Sequence, residues 1–468
     1  MSIVETLRAA LSSEKVVSEG PLLEERRHDY WVLSHLDDVQ DRPAPRPGCV
    51  VQPATVDDVV KVVNACREAG APLIPFGLGS GVCGGVVAHE DAVLIDMSKM
   101  NAVRFIDRTN LLAAFDAGKN GGEAEKEVSR RGLTIGHWPQ SIDVSTVGGW
   151  IATRASGQFS TGYGNIEDIV YSIEAVLPDG SVIEAGKAPR ASAGPDLRHL
   201  LLGSEGTLGV ITGVTLALRR APEKSARAAF FAKSMADGFE AQRAIIQSGW
   251  QPVVLRQYDA LETHRLFPES ARGDDVLLLV VHEGPAGKVA AEVDGVSAIV
   301  KDAGLDEGPL EAVGQWLKDR NHVPTWEAFL KNGVVLDTVE ISATWDKIGA
   351  IYEGVVASLK EVPGLLAGTA HSSHVYRTGI NLYFTFAARP DKPEDMAATY
   401  EECWRRIMEA TAAGGGGVSH HHGIGRVRRN YLRHDLGDSG IAALRALKGA
   451  LDPTGFMNPG VLLPDLTS

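Results

Sequence analysis

The sequence predicts an α+β chain of two successive domains, and three observations carry that reading. Residues 49 to 76 spell a strand-helix-strand unit, short strands separated by glycine turns follow to about residue 220, and from about 225 longer helical patterns alternate with strand runs. At 468 residues, 44% hydrophobic and 23% charged, the chain is long enough to bury a large core and form two or three domains.

The first 45 residues read as a short helix closed by the Pro-rich RPAPRPG at 42–48, and the fold proper is expected to start near Gly48. CVVQP is a strand. Thr55 with Asp58 opens the next element as a capping box in which Asp replaces the usual Glu, and Val56, Val59, Val60 and Val63 recur at helical spacing up to Gly70. PLIPFG, AVLIDM, AVRFID and LLAAFDAG are strands, and a helix is expected near 121–131. IVYSIEAVLP, SVIEAG and GVITGVTLALRR close the first domain. The second carries VVLRQYD, VLLLVVHEG, VVLDTVEIS and INLYFTFAA as its strands. The divisions are therefore an N-terminal helical segment 1–45, a first domain 46–222, a second 223–412 and a loop-like, polar tail 413–468 that returns to a site.

A formal charge of -14 argues against nucleic acid or an anionic membrane as a partner. Four scattered cysteines without a C-x-x-C pair read as reduced thiols. The N-terminus lacks the basic-then-apolar order of a signal peptide, and no uncharged apolar run reaches about 18 residues. A cytoplasmic protein without stable membrane insertion is expected; a homodimer is compatible with the sequence but not specified by it.

Residues 79–84 match G-x-G-x-x-G, yet no helix of useful length fits before the next strand. The nearest strand-end acid, Asp96, comes too early for a Rossmann fingerprint, and no G-K-[ST] follows. What remains is a turn whose exposed N–H groups can wrap an anion without a helix dipole, or else a plain tight loop. Further glycine clusters at 145–170 and 203–212 favour backbone that tracks a long ligand.

Pro75-x-Gly77-x-Gly79-Ser80, SIDVSTVGGWIATRASG, YGNIEDIV and GSEGTLGVIT together resemble the FAD-binding domain of the vanillyl-alcohol oxidase and p-cresol methylhydroxylase flavoproteins. STVGGWIATRASG, YGNIEDIV, SHHHGIGRVR and LYFTF resemble, within that family, the alkyldihydroxyacetonephosphate synthases and their bacterial relatives. The likeness runs from about residue 48 to the C-terminus and is weakest in the middle. It implies an FAD-binding domain of two subdomains, an α+β substrate-binding cap domain, and FAD held noncovalently.

By that resemblance the loop of Pro75, Gly77, Leu78, Gly79, Ser80, Gly81 and Val82 cradles the pyrophosphate. Ser141, Thr146, Gly148, Gly149, Thr153 and Ser156 lie along the ribityl chain and ring, and Gly203, Glu205, Gly206 and Ile211 meet the adenosine half. His137, just before the second cluster, is read as a satisfied structural histidine. The resemblance makes Tyr383 a catalytic acid/base, with His421 and His422 beside it, and sets Arg256 near the flavin as an anion contact. Read without it, Tyr383 alternates with Leu382 and Phe384 and simply fills core.

Three adjacent histidines, His420 to His422, raise a metal question. In an extended segment their side chains alternate, so at most two share one ion. The related hydroxy-acid dehydrogenases carry H-x-G-D-G-N-x-H and E-H-G. Here His371 matches the first His, the second is absent, and His421 stands where the Glu would be, so no metal is expected. The synthases also place an arginine about 19 residues before the tryptophan matched by Trp345, and Trp326 stands there; Arg320 from the preceding turn is the substitute, with Trp326 and His420 as further substrate contacts.

The implied activity is synthase-like flavin N5 chemistry on a ketone phosphate or related, lipid-like substrate. The alternative is FAD-dependent oxidation of a 2-hydroxy acid or alcohol, and the second alternative a flavin-binding protein without turnover.

Overall fold

The computed structural model of the chain describes residues 1–464. In the first sheet, β1 (Val16–Val17), β2 (Cys49–Val51), β3 (Leu73–Phe76) and β4 (Val93–Asp96) lie in the order β1-β2-β4-β3, parallel except for β1. The crossover helix Val56–Ala69 starts on the reciprocal Thr55/Asp58 cap and stops at Gly70, whose φ of 65° suits a residue without Cβ. No helix intervenes between β3 and β4, so the loop after β3 is free of a helix dipole, as the sequence predicts.

The second sheet is antiparallel, with β5 (Val103–Asp107), β6 (Leu112–Asp116), β8 (Val170–Val176), β9 (Val182–Ala185) and β10 (Val210–Ala217) in the order β5-β6-β10-β8-β9. A short pair, β7 (Leu133–Thr134) with β11 (Arg219–Arg220), stands apart. The third sheet contains β12 (Lys224–Ala232), β13 (Val254–Tyr258), β14 (Val276–Gly284), β15 (Asp306–Glu307), β16 (Val335–Thr344), β17 (Leu365–Ser372) and β19 (Gly379–Ala388). Its order is β15-β12-β14-β13-β17-β19-β16, with β18 (Val375–Tyr376) on β19, and every pairing is antiparallel.

Side chains alternate across this sheet. Val339, Ile341, Leu382 and Phe384 point to one face and pack, fully buried, against Ile245, Ile348, Val355 and Ile407 of the covering helices. The residues between them face the other way, toward the first two sheets. Register then makes a row: Tyr258 lies opposite His371, His371 opposite Tyr383, and Tyr383 opposite Glu340, so four strands present four polar side chains on one face.

Three expectations change. The N-terminal segment 1–45 is not only helical: β1 joins β2, His28 bridges Val87, and Asp29 accepts from the N–H groups of Gly85 and Val86, tying the segment to the glycine loop. The cluster at 145–153 is a helix start as well as a turn, because Thr146 caps Val147–Thr153 by accepting from Gly149 N–H. The tail is not loop-like throughout. Residues Leu432–Leu451 are helical, broken at Gly437 (φ 64°), because Leu432, Ile441 and Leu444 form an apolar stripe that packs with Ile424 and Leu462. Positions 465–468 of that tail lie outside the described residues.

Candidate active site

A cavity of about 1350 Å³ lies between the glycine-rich loops and the polar face of the third sheet. It exceeds the roughly 300–1,000 Å³ of an ordinary small-ligand site and suits a dinucleotide with room for a second molecule.

One wall is backbone. No N–H group from Leu78 to Val82 has an acceptor among the described residues, so a row of donors faces the cavity. A Cβ on Gly77 would come within 2.7 Å of Thr146 Oγ1, and one on Gly79 (φ 72°) within 2.8 Å of the Phe76 ring. Pro75, Gly77, Leu78, Gly79, Ser80, Gly81, Val82, Ser141, Thr146, Gly148, Gly149, Thr153, Ser156, Glu205, Gly206 and Ile211 all line the same cavity. Free donors on a turn with no room for a side chain at Gly77 or Gly79 fit the pyrophosphate of the FAD that the resemblance implies. Gly203 does not reach the cavity: its N–H donates to Ile151, it packs under Arg154, and it lines a separate cleft. Glu205 turns its carboxylate to the N–H groups of Ile424 and Gly425 at 2.6 and 2.8 Å, which pins the chain just after the histidines.

The opposite wall is the polar row. Tyr383 Oη lies 3.1 Å from His422 Nε2 and accepts from Thr338 Oγ1 at 3.2 Å. His422 Nδ1 is 2.9 Å from Glu340 Oε2, an ion-pair contact whose angle lies outside that of a hydrogen bond. Glu340, fully buried, also receives the N–H groups of His421 and His422 and a two-pronged ion pair from Arg428, itself fully buried over the Trp404 ring. Burial opposes its charge, but Arg428 and His422 hold the Glu340 carboxyl well below the usual carboxylate range. Burial pushes the Tyr383 phenol upward, so it stays protonated at rest. Burial also drives His421 well below its ordinary value and His420 down to about 4.

A second pair adjoins it. His371 stacks between the rings of Tyr258 and Tyr383 at 5.2 and 4.8 Å, and its Nδ1 is 3.0 Å from Glu262 Oε1. Glu262 also accepts from Thr369 and pairs with Arg265.

Arg256 and Arg320 line the cavity, as Lys318 does, with no carboxylate in salt-bridge range among the described residues. Arg256 Nε donates to Tyr258 Oη at 2.9 Å, with its guanidinium 5.2 Å from the Trp316 ring. Arg320 lies 5.0 Å from both the Trp138 and Phe159 rings, and its Nε and Nη1 have no hydrogen-bond partner. Trp326 also lines the cavity and donates to the Tyr30 carbonyl. The structure thus brings Tyr383, His421, His422, Arg256, Arg320 and Trp326 together, whereas His420 borders the separate cleft.

His137 corrects one reading. It is fully buried, but neither ring nitrogen has a hydrogen-bond partner; the ring packs 4.6 Å from Trp150, and burial lowers its pKa to about 3. Packing, not hydrogen bonding, holds it, and it does not line the cavity. Sequence reasoning missed Glu340, Arg428, Glu262 and His374. Glu340 is one of two acids in the strand DTVEIS and Arg428 one of three arginines in RVRR, so neither stood out.

Comparison with known proteins shows the family and the fold. A family model for the FAD binding domain matches residues 47–186, and one for FAD linked oxidases, C-terminal domain, matches residues 221–462. The FAD-linked oxidoreductase YgcU of Escherichia coli K12 is 33% identical, covering 99% of this chain and 98% of its own. Alkyldihydroxyacetonephosphate synthase of Dictyostelium discoideum is 30% identical over 90% of this chain and 74% of its own, and the glycolate oxidase subunit GlcD of Bacillus subtilis is 28% identical over 90% and 88%. Among solved structures, an alkyldihydroxyacetonephosphate synthase superposes with a TM-score of 0.79 at 25% identity, covering 98% of this chain and 85% of that one. A 4-ethylphenol oxidase from Gulosibacter chungangensis reaches 0.79 at 17% identity, which speaks to the fold alone. Among the described residues no helix is long and apolar enough to cross a membrane.

Proposed function

The chain belongs to the FAD-linked oxidases and its cofactor is FAD; from that premise we propose a synthase-like flavoenzyme that exchanges a substituent on a ketone phosphate or related substrate without net oxidation. The observation that carries this reading is the Tyr383–His422–Glu340 relay at the wall of the cavity that the glycine loops also line.

When bound, FAD supplies an electrophilic, electron-accepting N5. The chain's own residues hold the dinucleotide and move protons. The donor row of Leu78 to Val82 holds the pyrophosphate, and the small residues Gly148 and Gly149 admit the rest of the cofactor, noncovalently. Tyr383 Oη gives or takes one proton at the substrate. His422 Nε2, 3.1 Å behind it, stores that proton, and Glu340 stabilises the imidazolium so formed. Arg256 and Arg320 bind the anionic end of the substrate.

A second reading, oxidation of a 2-hydroxy acid, draws support from His371. Its Nδ1 is turned to Glu262, which leaves Nε2 as the atom able to take a hydroxyl proton, while Arg256 suits a carboxylate. Anaerobic mixing separates the two. Exchange of an acyl for an alkoxy group on acyl-dihydroxyacetone phosphate, with the flavin band restored at the end, supports the synthase; lasting bleaching by a 2-hydroxy acid without exchange overturns it. A colourless protein that takes up no FAD overturns both.

A further inference from the structure

We propose that His374, His420 and His421 form a binding site for one divalent first-row transition-metal ion, Zn²⁺ foremost, in the wall that divides the main cavity from the neighbouring cleft. The alternation rule for an extended stretch would set adjacent His420 and His421 on opposite sides, but residues 420–422 are a run of bends, which turns these two rings toward one point while His422 goes to Glu340. The third ligand comes from elsewhere, from His374 in the turn between β17 and β18. One ring nitrogen from each of the three lies within 4.8 Å of the other two, and the ring centroids form a near-equilateral triangle of 4.9, 4.9 and 5.0 Å. Zinc–imidazole bonds of about 2.0–2.1 Å need these nitrogens to close by less than about 1 Å, within reach of side-chain rotation.

The hydrogen-bond chain behind the rings sets their tautomers. Asn165 Oδ1 can only accept, and it takes the Tyr376 hydroxyl proton at 3.3 Å and that of Ser156 at 2.6 Å. Tyr376 Oη, its proton so used, accepts from His420 Nε2 at 2.6 Å, which leaves His420 Nδ1 a bare lone pair. That lone pair points at His421 Nδ1, 2.8 Å away. His374 Nδ1 lies 2.6 Å from Ser160 Oγ, so Nε2 is the nitrogen that remains to ligate, with Nδ1–H donating to the serine oxygen once the ion is bound. Metal-bound histidines characteristically carry such a partner on the nitrogen that does not ligate.

Chemistry narrows the ion. The set is all imidazole, and the nearest acid, Glu340, is committed to Arg428, so hard oxygen-seeking cations such as Mg²⁺ and Ca²⁺ are disfavoured. His374 and His421 border the main cavity, which leaves a fourth position for water or a substrate oxygen there. With the ion bound, His421 serves as ligand and the proton relay is Tyr383 with His422.

The site does not depend on the flavin reading, and the two are measured separately. Full-length, tag-free holoenzyme is purified without chelator, its zinc content measured by mass spectrometry, and the EDTA-treated protein titrated with ZnCl₂ by calorimetry. We expect roughly one Zn²⁺ per chain. His374→Gln and His420→Gln abolish the uptake while the flavin absorbance, as the check on folding, persists. Ser160→Ala and Tyr376→Phe keep all three rings and weaken the affinity about 10–100-fold, which serves where a histidine variant fails to fold. A wild-type protein that binds no Zn²⁺, or a stoichiometry and affinity unchanged in all four variants, overturns the proposal.

Discussion

Tyr383 and Glu340 face each other across the β19–β16 ladder, and the His422 ring from the distant tail bridges their functional groups, 3.1 Å from the phenol and 2.9 Å from the carboxylate. A cross-strand pair has thus been opened by a third residue about 40 positions beyond Tyr383 into a relay that ends on a buried ion pair.

Tyr383→Phe removes the one proton that this relay delivers into the cavity while keeping the ring stacked on His371. We expect kcat to fall about 10²–10⁴-fold, with FAD content and KM little changed. Retention of near-wild-type kcat would move the acid/base role to His371.

Glu340→Gln leaves the fully buried Arg428 without its counter-charge and loosens the loop that carries His421 and His422. A loss of about 3–5 kcal/mol is expected from urea unfolding of the variant. The double variant with Arg428→Met recovers much of that stability but none of the activity, because His422 still lacks its partner.

Gly79→Ala and Gly132→Ala both place a methyl at a positive φ, 72° and 71°. Only at Gly79 does the methyl press on a ring, that of Phe76, beside the free N–H row; at Gly132 nothing lies within 4 Å. The Gly79 variant is expected to purify with little FAD, whereas the Gly132 variant stays yellow at a cost of about 1–2 kcal/mol.

Glu205 supplies a pH test. Burial raises its carboxyl from 4.5 to about 7, against the opposing N–H groups of Ile424 and Gly425. The folded state therefore binds this proton more tightly than the unfolded chain, so the group's stabilising contribution is full below about pH 4.5 and is lost as pH rises through about 7. In Glu205→Gln that dependence disappears. The difference in unfolding free energy, variant minus wild type, should shift in the variant's favour by about 1–3 kcal/mol between acid and neutral pH.

Arg320→Met keeps a long side chain against Trp138 and Phe159 but removes the charge. With a carboxylate or phosphate substrate, KM is expected to rise about 10–100-fold with kcat little changed; an unchanged KM assigns anion binding to Arg256 alone.

Much of the first domain was legible from sequence because local rules decide it. The Thr55/Asp58 cap, the valine period up to Gly70 and the helix-free loop after β3 each follow from neighbours in the chain. Tyr383 was legible only through resemblance, since alternation with Leu382 and Phe384 states that it faces away from them but not what it faces. Glu340, Glu262 and Arg428 stayed hidden because an acid or an arginine in sequence looks the same whether it is solvated or paired. The helix at 432–451 was lost behind the polar stretch that precedes it.

By itself the sequence determined most of the elements and their glycine turns, and a helix-free loop after β3, because backbone sterics and side-chain periodicity act over a few residues. The tertiary structure decided which polar groups meet. Antiparallel register aligned Tyr258, His371, Tyr383 and Glu340 on one face, and the carboxylates of Glu340 and Glu205 then drew the histidine loop onto that row. Pairings between residues tens to hundreds of positions apart depend on how sheets and loops close in space, and no local period encodes them.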